Sequence, residues 1–129
     1  MSTTTKKKVL IVEDDEPIAR VYAIKLGQEG IDTPLAADGE DAFKKIQSEK
    51  PDLVLLDLML PKKDGFWVLE EMGKIPTLKN IPVIVLSNLG QDKDKERALG
   101  LGAKDYLVKA DISINDVIAK VNKMLEIAK

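Results

Sequence analysis

The chain has 129 residues, 44% of them hydrophobic and 33% charged, with a formal net charge of −2. That composition suits one globular domain; it is too apolar for a disordered chain and lacks the basic excess of a nucleic-acid-binding surface. Cysteine and histidine are both absent, which excludes disulfides, thiol and imidazole chemistry, and leaves carboxylates, Lys, Ser/Thr and a hard metal ion to carry any reaction.

The basic tract Met1 to Lys8 is followed by only four apolar residues, Val9 to Val12, before Glu13. That is too short for the apolar stretch of a signal peptide, so residues 1–7 are expected to be a disordered arm and 8–129 one domain. No apolar run is long enough to cross a membrane, and the lack of cysteine fits a cytoplasmic location. Val9 to Val12 reads as a buried strand. Asp15 suits the N-cap of the next helix and Pro17 its first turn, with Ile18, Val21, Tyr22 and Leu26 at helical spacing and Gly27 and Gly30 closing it. Ile31 to Ala36 is a weaker strand interrupted by Pro34, which places it at a sheet edge. Asp38-Gly39 turns the chain into a helix over Glu40 to Ser48, with Ala42, Phe43 and Ile46 inward.

Pro51-Asp-Leu-Val-Leu-Leu-Asp-Leu-Met-Leu-Pro61 is the central stretch. Leu53 to Leu60 is apolar except for Asp57, the pattern of a strand buried on both faces of a parallel sheet. A carboxylate there is expensive to bury unless it sits at the strand's C-terminal end, where open α/β sheets bind ligands. The bland alternative is a solvated strand-end Asp. After a turn at Pro61 to Gly65, Phe66, Leu69 and Met72 mark a helix to Gly73, and Ile81 to Ser87 is another buried strand. The helix from Gln91 to Leu101 opens on Gln-Asp-Lys-Asp-Lys-Glu-Arg. Its apolar face is thin, so it is expected to be the least firmly held. Tyr106 to Lys109 ends the last strand. Ser113 caps a final helix whose inner stripe is Ile114, Val117, Ile118, Val121 and Leu125.

Five βα units imply a doubly wound parallel sheet with five helices. The weak second strand at an edge favours the order 2-1-3-4-5. All strands then deliver their C-terminal residues to one edge: Glu13 and Asp14, Asp57, Ser87 and Lys109. Two carboxylates about 5 Å apart repel by roughly 3 kcal/mol at an effective dielectric near 20, so three require a cation. With oxygen ligands alone the expected ion is Mg²⁺, with Mn²⁺ as a substitute. A carboxylate beside such an ion and an ammonium is equipped to attack a phosphoryl group, giving an aspartyl phosphate, with Ser87 donating a hydrogen bond.

Val9-Leu-Ile-Val-Glu-Asp-Asp-Glu-Pro17, Leu55-Leu-Asp-Leu-Met-Leu-Pro-Lys-Lys-Asp-Gly65, Val83-Ile-Val-Leu-Ser87 and Tyr106-Leu-Val-Lys109 together resemble the receiver domain of two-component response regulators. The resemblance covers the chain after its N-terminal arm and suggests a flavodoxin-like, stand-alone receiver of the chemotaxis-regulator kind. It implies that Asp57 is the phosphoacceptor. It also implies that Mg²⁺ is held by Glu13, Asp14, Asp57 and the Met59 backbone carbonyl, and that Lys109 is the family's lysine. Ser87 stands at the switch position and Tyr106 where an aromatic turns inward when that hydroxyl engages the phosphoryl group; its plain alternative is a packed aromatic. The implied donor is a histidine kinase or phosphotransfer protein. A downstream protein is expected on the face around Gln91 to Leu101 and Tyr106, with no nucleic-acid or membrane contact. The chain is expected to be a monomer, with a phosphorylation-dependent dimer as the other state. Three positions depart from the family pattern: Ala110 replaces the usual Pro after the lysine, Asn88 follows Ser87 in place of a small residue, and Lys104 stands where many transcription-factor receivers carry an acid used in pairing.

Three other readings compete. A haloacid-dehalogenase-type phosphatase needs a second Asp two residues after the nucleophile, where this chain has Met59. A flavodoxin-type flavin carrier needs a phosphate loop after the first strand, where Glu13 to Glu16 would repel a phosphate. A phosphorylation-independent pseudo-receiver would bind partners without the chemistry, and the intact acid, lysine and hydroxyl set argues against it.

Overall fold

The structure is a computed structural model that describes residues 6–127. Residues 1–5 of the expected arm lie outside the described residues, and the Lys7 carbonyl accepts a hydrogen bond from the Asp32 amide at 2.8 Å. The elements in order are β1 (Val9–Val12), α1 (Glu16–Gln28), β2 (Leu35–Ala36), α2 (Gly39–Glu49), β3 (Leu53–Leu56), α3 (Gly65–Gly73) and α4 (Pro76–Lys79). They continue with β4 (Val83–Ser87), α5 (Asp92–Gly100), β5 (Asp105–Val108), a 3-10 turn at Lys109–Asp111 and α6 (Ile114–Ile127). The five strands are all parallel, in the order β2-β1-β3-β4-β5. This is the doubly wound, flavodoxin-like arrangement expected from the alternation of strands and helices.

Period-two alternation divides the strand residues between two cores. Leu10, Val12, Val54, Leu56, Val83 and Val85 face α2, α3 and α5. Val9, Ile11, Leu53, Leu55, Ile84 and Leu86 face α1 and α6. The three central strands are therefore buried on both sides, which is why they read as unbroken apolar runs. β2 is the edge strand and is shorter than its sequence suggests. Pro34 offers its carbonyl to the Ile11 amide at 3.0 Å but has no N–H to return, so the ladder is interrupted there. Lys45 donates its ammonium to the Leu35 carbonyl, which blunts the free edge.

Several local expectations change. A sixth, one-turn helix, α4, follows Ile75, with Pro76 in its first turn and Leu78 buried. The Ile81 amide closes it on the Leu78 carbonyl at 3.0 Å, so β4 starts at Val83 rather than Ile81. On α1 the buried residues are Ala19, Tyr22 and Leu26, while Ile18 and Val21 are exposed. On α6 Val117, Val121 and Leu125 are buried, Ile118 is partly so, and Ile114 is exposed. The caps hold as expected: Asp15 accepts from the Ile18 amide at 3.2 Å and Ser113 from the Asp116 amide at 3.1 Å. Gly30, at φ +81°, takes the left-handed turn that leads out of α1.

Candidate functional site at the carboxyl ends of the strands

Parallel strands present their carboxyl ends at one edge of the sheet. β1 runs on into Glu13 and Asp14, β3 into Asp57 and β5 into Lys109, while β4 ends on Ser87. The ladder holds Glu13 and Asp57 in place. The Glu13 amide donates to the Ala36 carbonyl and the Asp57 amide to the Val12 carbonyl, each at 3.0 Å.

The side chains converge on Asp57, which is only 5% exposed. Its Oδ1 accepts from the Ser87 hydroxyl at 2.8 Å and from the Met59 amide at 3.1 Å. Its Oδ2 pairs with the Lys109 ammonium at 2.9 Å. The same ammonium donates to Glu13 Oε1, and Glu13 Oε2 accepts from the Asp15 amide at 3.1 Å. Among the described residues no buried side-chain nitrogen or oxygen lacks a partner. Both oxygens of Asp57 are thus fixed in direction by its own loop and by groups from two other segments, the preorganisation a reacting carboxylate needs.

Burial pushes the Glu13 carboxyl above its usual range, and the Asp57 charge adds to that; the Lys109 ammonium and the Asp15 amide oppose it without cancelling it. Burial also disfavours the Lys109 ammonium, but its bonds to Glu13 and Asp57 outweigh that and leave its pKa raised. One carboxylate oxygen each from Glu13, Asp14 and Asp57 lies within 4.8 Å of the others. Three carboxylates against one ammonium leave two negative charges, carried on oxygen alone. That donor set fits a hard divalent cation.

A family model described as the response regulator receiver domain matches residues 9–122. The chain belongs to the response regulator receiver family. Over 120 residues it is 41% identical to a "Probable transcriptional regulator ycf27" of Cyanophora paradoxa, covering 93% of this chain and 48% of that protein. It is 40% identical over 119 residues to the "Alkaline phosphatase synthesis transcriptional regulatory protein PhoP" of Bacillus subtilis (strain 168), covering 92% and 48% respectively. The chain therefore spans about half the length of these curated relatives. Among solved structures it is similar to the receiver domain of Francisella response regulator 1452, with 36% identity and a TM-score of 0.88 over 96% of this chain and 100% of that one. The chain is classed with signalling receiver domains rather than with classical enzymes, and its clustered Glu13, Asp14 and Asp57 support signalling by aspartate phosphorylation. No helix of the described residues is long and apolar enough to cross a membrane.

A further polar contact beside the site joins β5 to the loop after β4. Tyr106 is half-buried against the core, and its hydroxyl donates to the Leu89 carbonyl. Burial first, then the charges of Asp94 and Asp57, raise its phenol pKa. α5 buries one residue, Ala98, and Gln91 gives it no side-chain cap. What steadies it is Arg97, whose guanidinium lies 4.0 Å from the centroid of the Phe66 ring and 3.8 Å from Glu70. The Lys109–Ala110 peptide is trans.

Two features of the site are not legible in sequence. The Leu89 carbonyl is a backbone acceptor, and no residue type announces it. Asp64-Gly65 reads only as a turn, yet a Cβ on Gly65 would lie 2.5 Å from the Asp57 carbonyl oxygen, so a larger residue would displace the acid's own backbone.

Proposed function

We propose that Asp57 accepts a phosphoryl group from a histidine kinase or phosphotransfer protein in the cytoplasm, and that the change is passed to a downstream protein through the face formed by Gln91 to Leu101 and Tyr106. The observation that carries this reading is the contact set of Asp57: Ser87 on Oδ1, Lys109 on Oδ2, and two further carboxylates beside it. A carboxylate oxygen of Asp57 attacks phosphorus, the bond from phosphorus to the donor's imidazole nitrogen breaks, and the electron pair leaves with that nitrogen. Lys109 offsets charge on the phosphoryl oxygens and Ser87 donates a hydrogen bond to one of them. Glu13, Asp14, Asp57 and the Met59 carbonyl would hold Mg²⁺, with Mn²⁺ as a substitute. Bound there, the ion supplies further positive charge to the phosphoryl group.

Switching follows from shared partners. Ser87 and Leu89 lie on one short segment, and Tyr106 holds the Leu89 carbonyl. A new bond from Ser87 to a phosphoryl oxygen would bias that segment and the lightly anchored α5 behind it.

The experiment is intact-mass measurement after incubation with acetyl phosphate and Mg²⁺. One phosphoryl group is expected in the parent, and none in Asp57→Asn or in EDTA. Asp14→Ala is expected to lose most of its Mg²⁺ affinity. Equal labelling in EDTA, or a mutant that binds Mg²⁺ as well as the parent, contradicts the reading.

A further inference from the structure

Gly39 is far from Asp57 in sequence and touches none of its oxygens, yet it has the tightest backbone contact of any glycine in the chain. A Cβ built on Gly39 would lie 2.1 Å from the Lys63 carbonyl oxygen, 2.7 Å from the Lys63 carbonyl carbon and 2.8 Å from its Cβ. The obstacle is backbone, so no side-chain rotation relieves it. The first residue of α2 is therefore pressed against the loop that joins β3 to α3.

That loop carries Met59, whose amide bonds Asp57 and whose carbonyl we assign to the metal. It is short and closed at its base, where the Gly65 amide donates to the Leu58 carbonyl at 3.0 Å. Gly65 itself lies close against Asp57 and Leu58, since a Cβ built on it would be 2.5 Å from the Asp57 carbonyl oxygen and 2.7 Å from Leu58 Cα. Lys62 sits in the left-handed region at φ +65°, an uncommon state for a residue with a side chain. Its ammonium lies 3.7 Å from Asp38, the residue that caps α2. The loop is thus gripped just after its left-handed residue, by α2 at Lys63 and by the Gly65–Leu58 bond at its base. A shift at Lys63 has few places to go except towards Leu60 and Met59.

We propose that Gly39 is a positioning residue for metal-dependent phosphorylation: by admitting the Lys63 backbone against α2, it sets the Met59 carbonyl at the distance a divalent cation requires. Mg²⁺ demands a near-ideal oxygen arrangement, so a loop displaced by even a fraction of an ångström loses affinity. The inference rests on the reading of Asp57 and its metal given above.

The test compares the parent with Gly39→Ala, Gly39→Ala/Lys63→Gly, Lys62→Pro and Gly27→Ala. Gly27 is a control helix glycine with nothing within 4 Å of its built Cβ. Mg²⁺ affinity is measured by calorimetry, and phosphorylation by acetyl phosphate is followed across a Mg²⁺ series. Gly39→Ala is expected to weaken Mg²⁺ roughly tenfold or more, and to shift the metal dependence of phosphorylation while leaving the rate at saturating Mg²⁺ within about twofold, an order-of-magnitude expectation. A loss of folded protein alone would not produce that split. Lys63→Gly frees the loop backbone and is expected to restore most of the affinity. Lys62→Pro forbids the left-handed backbone and displaces the loop with Gly39 intact, at the added loss of the exposed Lys62–Asp38 pair, so it is expected to weaken Mg²⁺ as well. Gly27→Ala is expected to bind like the parent. A folded Gly39→Ala with parental affinity overturns the proposal. So does parental affinity in Lys62→Pro, which decides the matter even where Gly39→Ala does not fold. A parent that binds no Mg²⁺ overturns the underlying reading instead.

Discussion

Tyr22 and Tyr106 are the chain's two tyrosines, and they lie on opposite faces of the sheet. Burial is the first cause that raises each phenol above its ordinary value of 10.0, so the fold favours the neutral form of both. The sign follows directly. Their contribution to stability is fully present below the unfolded value and is lost as pH rises through the folded one. Ultraviolet titration of the folded protein is therefore expected to show phenolate forming later than in the urea-unfolded chain. Coincident curves would mean that neither hydroxyl is shielded. Met59 and Leu89 bear on a different property. Each stands two residues beyond a site group, Asp57 or Ser87, with Met59 exposed and Leu89 half-buried. Neither side chain can hydrogen-bond a water lined up behind phosphorus. The phosphorylated form is accordingly expected to persist for on the order of an hour, and Met59→Asn/Leu89→Glu to decay about tenfold faster, a barrier change of about 1.4 kcal/mol. The check is decay of the phosphoryl group in Mg²⁺ once donor is removed; a parent that decays in seconds, or a double mutant no faster than the parent, rules out this gate.

α5 and α3 are helices of equal length with opposite anchoring. α3 buries Gly65, Phe66, Val68, Leu69 and Met72, whereas α5 buries Ala98 alone. Local opening is easiest where few apolar contacts are lost. Hydrogen exchange is expected to be faster in α5 than in α3, and Mg²⁺ with beryllofluoride is expected to raise protection from Ser87 to Tyr106. Protection that does not change there would remove α5 from the switching surface. This weakness was legible in the sequence, because seven consecutive polar residues leave no apolar stripe to dock. Other elements were less so. α1 carries apolar residues on more than one side, and the buried set includes Ala19, whose small side chain lets the helix approach the sheet, instead of Ile18 or Val21. Ile114 lies at the start of α6, where the stripe has not yet turned onto the sheet. α4 has a single turn, too short for any period to register, and only the Pro76 and Leu78 pair hints at it.

At the scale of the whole molecule, the sheet turns a linear order of apolar runs into a convergence of charge. Each run that ends in an acid, a hydroxyl or a lysine ends at the same edge, because every crossover returns the chain to the same starting edge. That made Glu13, Asp14, Asp57, Ser87 and Lys109 legible as a group before any distance was known. Their distances were not legible. That Lys109 bridges Glu13 and Asp57, or that Met59 contributes an amide to Asp57, depends on loop paths that tertiary packing decides. This convergence makes Asp57, and no neighbouring acid, the predicted phosphoacceptor. Borohydride reduces an aspartyl phosphate to homoserine, which marks its position in a peptide. After treatment with acetyl phosphate and Mg²⁺, reduction and tandem mass spectrometry, homoserine is predicted at position 57 alone, and nowhere when EDTA replaces the metal. Homoserine at Asp14 or Asp15, or at position 57 regardless of EDTA, would contradict the account.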